Sequence, residues 1–393
     1  MSWILHRLKG DKVIWIIAFL LGLISILAIY SSTSAMAYRL AGGDTETYVL
    51  RHIILIVLGL VVMFVVHKLD YRIFARLSNI LLVVTIPLLL YTIVKGAEVN
   101  DAARWINIFG QSFQPSDLAK LTLLIYLAKL LTVRQDVIKD FYEGFLPALF
   151  WVSVICGLIA PADLSTAVLM FLASLMVMFI AGVDLKYIGL LVMVAVVGLG
   201  ILGSTAKRSA TWESRMSDYV NRILDPEYRP IAQTTQSHIA FAGAGLFGKG
   251  AGKSAQRNFI PHANADFIFA VIVEEYGLVG AAVVICLYLI LLFRSVSIIT
   301  MSKTFGALLA SGLAFILVLQ AMMNMGVTVG LLPVTGLPLP LISWGGTSIL
   351  ITSISLGIIL SVSREAFEGS PEKKKVTSST SIKRKIQTRW ANA

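Results

Sequence analysis

Charge is scarce in this chain. Only 14% of its 393 residues are Asp, Glu, Lys or Arg, where a soluble domain carries about 25%. So little charge cannot cover the surface of a water-soluble fold. Cysteine is scarcer still: Cys156 and Cys286 are the only two, each inside an apolar run. That excludes a disulfide framework, and both are expected to be small buried hydrophobes. The histidines form no His-Glu-x-x-His pattern and there is no Cys cluster, which argues against a zinc site. Ser343 and Ser348 have no His nearby in sequence, so a serine nucleophile has no support.

What the chain has instead is hydrophobicity: 57% of its residues are apolar and its mean hydropathy is +0.82. Apolar runs of about twenty residues, each long enough to span a bilayer, recur along it. The expected fold is therefore all-α and polytopic, with about ten transmembrane helices. These lie near 13–32, 50–67, 77–95, 117–133, 144–160, 164–182, 186–203, 267–293, 304–330 and 344–363. No cleavage signal follows the first run, so it reads as a retained span.

Alternate connections are basic. Arg7, Lys9 and Lys12 precede the first span, Lys68, Arg72 and Arg76 follow the second, and Arg134 and Lys139 follow the fourth. Lys186 precedes the seventh, and Arg294 and Lys303 bracket the turn after the eighth. The positive-inside rule assigns these and both termini to the cytoplasm. The net charge of +11 lies largely at this face and in the tail, beside anionic lipid. No aromatic-interleaved module accompanies it, so nucleic acid is not expected.

Four regions follow from this reading. Residues 1–203 carry the first seven spans. Residues 204–266 form a large extracytoplasmic loop with interfacial helices. Residues 267–364 carry the last three spans, and 365–393 form a basic, disordered cytoplasmic tail. In the loop, Trp212, Met216, Tyr219, Val220 and Ile223 recur at helical spacing, which suits a helix lying in the membrane interface and ended by Asp225-Pro226. The run Gly248-Lys-Gly-Ala-Gly-Lys253-Ser254 mimics a phosphate-binding loop, but Phe247 stands where its first glycine is required. A glycine hinge is expected there, with Lys249 and Lys253 open to an anionic head group.

Most unusual residues fall on the outer face. Asp266 lies where the long loop runs into an apolar helix. Partial desolvation there suits a carboxylate that acts as a base; the alternative is an N-cap. Lys120 sits inside a span, where a charge is costly and functional by default. Its alternative is an ion pair with Asp117 one turn away. Asp163 reads as a helix N-cap or a cavity residue. Glu274 and Glu275 lie two turns into the eighth span, as structural pairs or as ligands of a divalent cation such as Mg or Mn. Pro333, Pro338 and Pro340 stiffen the last outer loop, and Gly345-Gly346 permit close backbone approach.

Four ordered blocks resemble the SEDS family (the RodA and FtsW family of shape, elongation, division and sporulation proteins). They are Asn100-Asp-Ala-Ala-Arg104-Trp105 with Gln114-Pro-Ser116-Asp117-Leu-Ala-Lys120; Pro161-Ala-Asp163-Leu-Ser-Thr166; Pro261-His262 to Asp266-Phe-Ile-Phe-Ala with Glu274-Glu275-Tyr-Gly277; and Asn324-Met-Gly326 with Pro333 through Ser343-Trp-Gly345-Gly346-Thr-Ser348. The chain departs from the family pattern at Asp117 (usually Glu), at Ala162 and Ser165 (usually Pro and Gly), in Ala263-Asn264-Ala265, and at Trp344 (usually Tyr). Ile29–Ser32 and the length look more like the family's division members than its elongation members.

The resemblance implies a peptidoglycan glycosyltransferase at the outer face of the bacterial inner membrane, at the septum. Its substrate would be lipid II, a disaccharide-peptide on undecaprenyl pyrophosphate. Asp266 matches the family's essential acid. Arg104, Lys120, Asp117, Gln114, Ser116, His262, Asp163, Ser343, Gly345 and Gly346 are the candidate substrate-site residues. Implied partners are a class B penicillin-binding transpeptidase and division-complex membrane proteins. The transpeptidase helix is expected against small residues of the eighth and ninth spans, Ala281, Ala282, Gly306, Ala307, Ala310 and Gly312. The residues alone leave two rivals open: a lipid II flippase and an inactive scaffold.

Overall fold

The computed structural model describes residues 9–40, 45–99, 102–108, 111–205, 209–225, 228, 232–260 and 263–368. The described part is an all-helical bundle with one small sheet. Its helices are α1 (Lys12–Leu40), α2 (Thr45–Lys68), α3 (Arg72–Lys95), α4 (Pro115–Val133), α5 (Leu146–Ile159), α6 (Leu164–Ala181), α7 (Leu185–Thr205), α8 (Ser209–Leu224), α9 (Ala232–Ala242), α10 (Ile268–Met301), α11 (Thr304–Val329) and α12 (Gly346–Glu368).

Ten of these helices coincide with the expected spans, and eight are long and apolar enough to cross a membrane. The exceptions have physical causes. Helix α4 carries Asp117, Lys120 and Lys129 and is largely buried in the bundle. The apolar part of α7 runs only from Leu185 to Ile201. His262, the tail beyond residue 368, and Asn100-Asp101 lie outside the described residues. Residues 365–368, assigned to the tail by sequence, are instead the last turn of α12.

Helices α4, α11 and α12 form the interior. Glycine allows the close contacts: a Cβ on Gly59 of α2 would stand 2.6 Å from Ser353 Oγ, and one on Gly357 of α12 would stand 2.8 Å from Val66 Cβ. The ninth-span half of the expected docking face for a partner helix is corrected by the same logic, while Ala282 of the eighth span is exposed. Gly306 packs on Val362 and Tyr71, Gly312 on Val177 and Leu124, and Ala310 is fully buried. These small residues of the ninth span are consumed by packing within the chain. Cys156 and Cys286 are both free, and Cys286 is exposed on the lipid-facing side of α10 rather than buried.

Two features were not anticipated. Residues expected as a plain outer loop form an antiparallel sheet of β1 (Ala97–Val99), β2 (Ala102–Ile108) and β3 (Gln111–Phe113), with Trp105 opposite Ala97 and Ile106 opposite Phe113. This sheet presents Arg104 from a strand. Helix α10 is also kinked at Gly277, whose φ of 69° and ψ of −164° are not helical. The freed backbone groups are taken by the glycine-rich run. Lys249 N donates to Glu274 O and Gly250 N to Glu275 O, while Leu278 N and Val279 N donate to Gly245 O and Leu246 O. A Cβ on Gly277 would collide with the Leu246 carbonyl, and one on Gly248 with the Glu275 carbonyl.

Gly277→Ala is therefore expected to destabilise the protein by about 1–3 kcal/mol from backbone strain alone. Gly248→Ala should behave alike, and Gly189→Ala, where the structure leaves open space, should not. Thermal melting in detergent checks the ranking.

Candidate functional site

Asp266 sits one residue outside the N-terminus of α10. The N-cap position is Phe267, which makes no side-chain cap bond, so the N-cap reading of Asp266 does not hold. Its carboxylate faces the last interhelical segment: a Cβ on Gly336 would stand 3.5 Å from Asp266 Oδ2. Its carbonyl accepts from Asn324 Nδ2 at 2.8 Å. The side chain is half-buried.

Three further charges share this end of the bundle. Arg104 Nε donates to the Ala162 carbonyl at 2.8 Å, and its Nη1 lies 3.6 Å from Asp163 Oδ2. Asp163 fills both of its expected roles, since Oδ1 caps α6 at Thr166 N, 3.2 Å away, while Oδ2 faces Arg104. A small cavity lined by Arg104, Ser116, Ala162 and Asp163 brings these blocks together, and Gln114 Nε2 donates to Ser116 Oγ at 3.0 Å.

The third charge is Arg215 of α8, which sequence reasoning passed over. Burial pushes its guanidinium pKa down. Repulsion from Arg104 adds to that, and attraction to Asp266 and Asp163 opposes it. Its Nη1 donates to Val334 O at 3.1 Å. The signal was present in the helical pattern, because Arg215, Asp218 and Arg222 share one face at spacings of three and four. That polar face turns inward, with Asp218 buried and Arg222 bonded to the Gly330 carbonyl. Met216, Val220 and Ile223 are exposed on the other face. An apolar face turned away from the protein is what an interfacial helix requires.

Lys120 and Asp117 form a separate, inner cluster. Lys120 Nζ lies 2.7 Å from Asp117 Oδ1 and donates to Gln320 Oε1 at 3.0 Å. Thr347 Oγ1 donates to Asp117 Oδ2 at 3.4 Å. This pair lines an interior cavity with Gln320, Ser348, Thr352 and Ser355. It reaches the outer cluster through α11: Gln320 Nε2 holds the Pro338 carbonyl at 2.8 Å and Asn324 Nδ2, one turn on, holds the Leu337 carbonyl at 2.7 Å.

The remaining candidates make contacts within the chain. Ser343 Oγ accepts from Leu339 N at 2.7 Å and donates to the Ala265 carbonyl, pinning the approach to Asp266. Trp344 N bonds Asn264 O at 2.8 Å, and the Trp344 ring stacks on His52. Gly345 and Gly346 lie against Ser348 and Leu55 rather than against Asp266. Glu274 is saturated by protein donors: Lys249 Nζ at 2.6 Å, Ser254 Oγ at 2.5 Å, Gln256 N at 3.1 Å and Ala255 N at 3.3 Å. Glu275 takes Ser31 Oγ, Ser254 N and the nearby Arg257. Among the described residues no group of three or more His, Cys, Asp or Glu is placed to hold a metal. The glycine-rich run thus cradles an anion, but that anion is the chain's own Glu274, which pairs with Lys249; Lys249 and Lys253 remain exposed.

These features define a polytopic membrane protein whose bundle gathers two aspartates and two arginines, Asp163, Asp266, Arg104 and Arg215, at one end. The protein belongs to the FtsW, RodA and SpoVE family, whose model, described as cell cycle protein, matches residues 11–368. It is 34% identical over 365 residues to a probable peptidoglycan glycosyltransferase FtsW of Geobacter sp. strain M18, covering 91% of this chain and 98% of that one. It is 32% identical to stage V sporulation protein E of Bacillus subtilis, with the same coverage. Its fold matches Thermus thermophilus rod shape determining protein RodA with a TM-score of 0.65 at 28% identity, over 91% of this chain and 98% of that one. It also matches a chain of a peptidoglycan synthase complex that coordinates polymerization and crosslinking, with a TM-score of 0.68 at 27% identity and the same coverage.

Removing the acceptor of four donors should free the glycine-rich run. Glu274→Ala is expected to lower the melting temperature and to open residues 245–257 to limited proteolysis, with no rescue by added Mg or Mn. Rescue by either ion would return Glu274 to the role of a metal ligand.

Proposed function

We propose that this chain is a peptidoglycan glycosyltransferase that polymerises lipid II at the outer face of the cytoplasmic membrane, in septal wall synthesis. The reading rests on Asp266, half-buried at one end of a membrane-spanning bundle and within electrostatic reach of Arg215, which also feels Arg104 and Asp163. The orientation follows from charge: Lys12, Lys68, Arg72, Arg134, Lys186 and Lys303 all lie toward the opposite end, which the positive-inside rule assigns to the cytoplasm along with both termini.

In this reading Asp266 takes the proton from the GlcNAc 4-hydroxyl of one unit as that oxygen attacks MurNAc C1 of another. The C1–O bond to the undecaprenyl pyrophosphate breaks, and the pyrophosphate leaves as an anion. Arg104 and Arg215 supply positive charge where that anion develops, in a setting partly screened from water. Asp163 orients Arg104. Lys120, held between Asp117 and Gln320, sets the position of α11 and through it the segment that carries Gly336. The four protein donors around Glu274 favour its structural role over that of a ligand for a divalent cation. A class B transpeptidase and further division proteins complete the assembly; the likeness to a chain of a synthase complex that couples polymerization to crosslinking supports that partner.

Asp266→Asn is expected to lower chain synthesis from lipid II in detergent by about 10²–10⁴-fold, the usual contribution of a general base, with folding intact. Near-normal synthesis would sink the assignment, and lipid scrambling in vesicles without glycan products would identify a transporter instead. Arg104→Ala and Arg215→Ala should each cost about 10²-fold in kcat if they act on developing charge, whereas Lys120→Ala should lower thermal stability as well as rate. Met216→Glu or Ile223→Glu should cut activity and lipid contact without lowering the melting temperature, because that face contacts lipid rather than the bundle.

A further inference from the structure

The opposite end of the bundle holds a second charged concavity that the proposed reaction does not use. It is a cavity of about 520 Å³ lined by Tyr71, Arg72, Ala75, Arg76, Lys129, Thr132, Val133, Lys303, Thr304 and Phe305. Three separate parts of the chain build it: the start of α3, the end of α4, and the turn between α10 and α11. Four cations therefore meet in one depression. Among the described residues one carboxylate forms salt bridges with them, Glu365 of α12, which pairs with Arg72 and stands 3.9 Å from Lys303 Nζ, and Asp70 adds a weaker attraction to Arg72. Lys129 Nζ is bonded to a neutral acceptor, Asn79 Oδ1, at 3.0 Å. Arg76 is exposed and makes no ion pair with any described residue.

Like charges gathered this way repel, and a counter-anion relieves the repulsion. The walls say what kind of anion. Tyr71 and Phe305 stack with ring centroids 6.0 Å apart, and Val133 is exposed beside them. A free anion gains nothing from such a wall. A phosphodiester joined to a glycerol and acyl chains gains from both the cations and the apolar side. The depression also lies at the level where spanning helices end, which is where head groups sit.

We infer that Arg72, Arg76, Lys129 and Lys303 form a binding site for the phosphate head group of an anionic phospholipid in the leaflet opposite Asp266. The bound lipid ties α3, α4 and the α10–α11 turn together, and so braces the two helices, α4 and α11, that carry the inner polar cluster. The inference is independent of the proposed reaction, because none of its residues touches Asp266, Arg104, Arg215 or Lys120.

The test uses the full chain in neutral detergent and measures thermal stability and lipid retention by native mass spectrometry, with phosphatidylglycerol, phosphatidylcholine and inorganic phosphate as probes. Wild type is expected to gain stability with phosphatidylglycerol alone. Arg76→Gln combined with Lys303→Gln should weaken that response by about tenfold in apparent affinity, as expected when two cations near the head group are lost. Lys186→Gln, which removes an exposed charge from the same end but outside the cavity, should leave it intact and serves as the control for net charge. Equal stabilisation by phosphatidylcholine, or an unchanged response in the double variant, would overturn the site. Stabilisation by inorganic phosphate as strong as that by phosphatidylglycerol, and lost in the same variant, would overturn the lipid as its occupant.

Discussion

Between Pro333 and Ile342 the chain runs without regular structure while largely buried among membrane-spanning helices. Backbone carbonyls at that depth have no water to turn to and must find donors in the protein. Six of them accept from side chains on different elements. Val334 takes Arg215, Thr335 takes Ser165, Leu337 takes Asn324, Pro338 takes Gln320, Pro340 takes Tyr288 and Ile342 takes Ser25. The prolines reduce the matching demand for acceptors, since each lacks an N–H. Much of the architecture follows from satisfying this one segment. It draws α1, α6, α8, α10 and α11 to a common centre and lays Gly336 against the Asp266 carboxylate.

A second irregular segment is solved in the opposite way. The kink at Gly277 leaves α10 with unpaired backbone groups, and the glycine-rich run 245–254 supplies partners strand-fashion along it. Glu274 then gathers the run's Lys249, Ser254 and two backbone N–H groups. A buried carboxylate is costly unless its lone pairs are filled, and here they are filled by the loop it organises. The loop leads straight into the approach to Asp266, so the order of one fixes the path of the other.

The charges at the site end are arranged by distance from water. Lys120 and Asp117 are deep and neutralise each other. Arg104 and Arg215 lie nearer the surface with Asp163 and Asp266, and burial, more than the repulsion between the two arginines, lowers the pKa of Arg215.

The sequence by itself determined what depends on composition and local pattern. Runs of apolar residues placed ten helices, eight of them long and apolar enough to cross a membrane, because a bilayer imposes one length on whatever crosses it. Helical spacing found α8 and its exposed apolar face, and its end at Leu224 was legible because proline in the following Asp225-Pro226 restricts the residue before it. The position of Asp266 at a polar-to-apolar boundary marked it directly. Tertiary structure decided the partners. Nothing local distinguishes Glu274 as a loop anchor from Glu274 as a metal ligand, since the donors that fill it lie 18 to 25 residues away. Nothing local says that the small residues of the ninth span face inward, or that Arg215 turns toward Asp266. Those outcomes depend on which helix face meets which neighbour, and that choice is made only when every buried polar group in the bundle is satisfied at once.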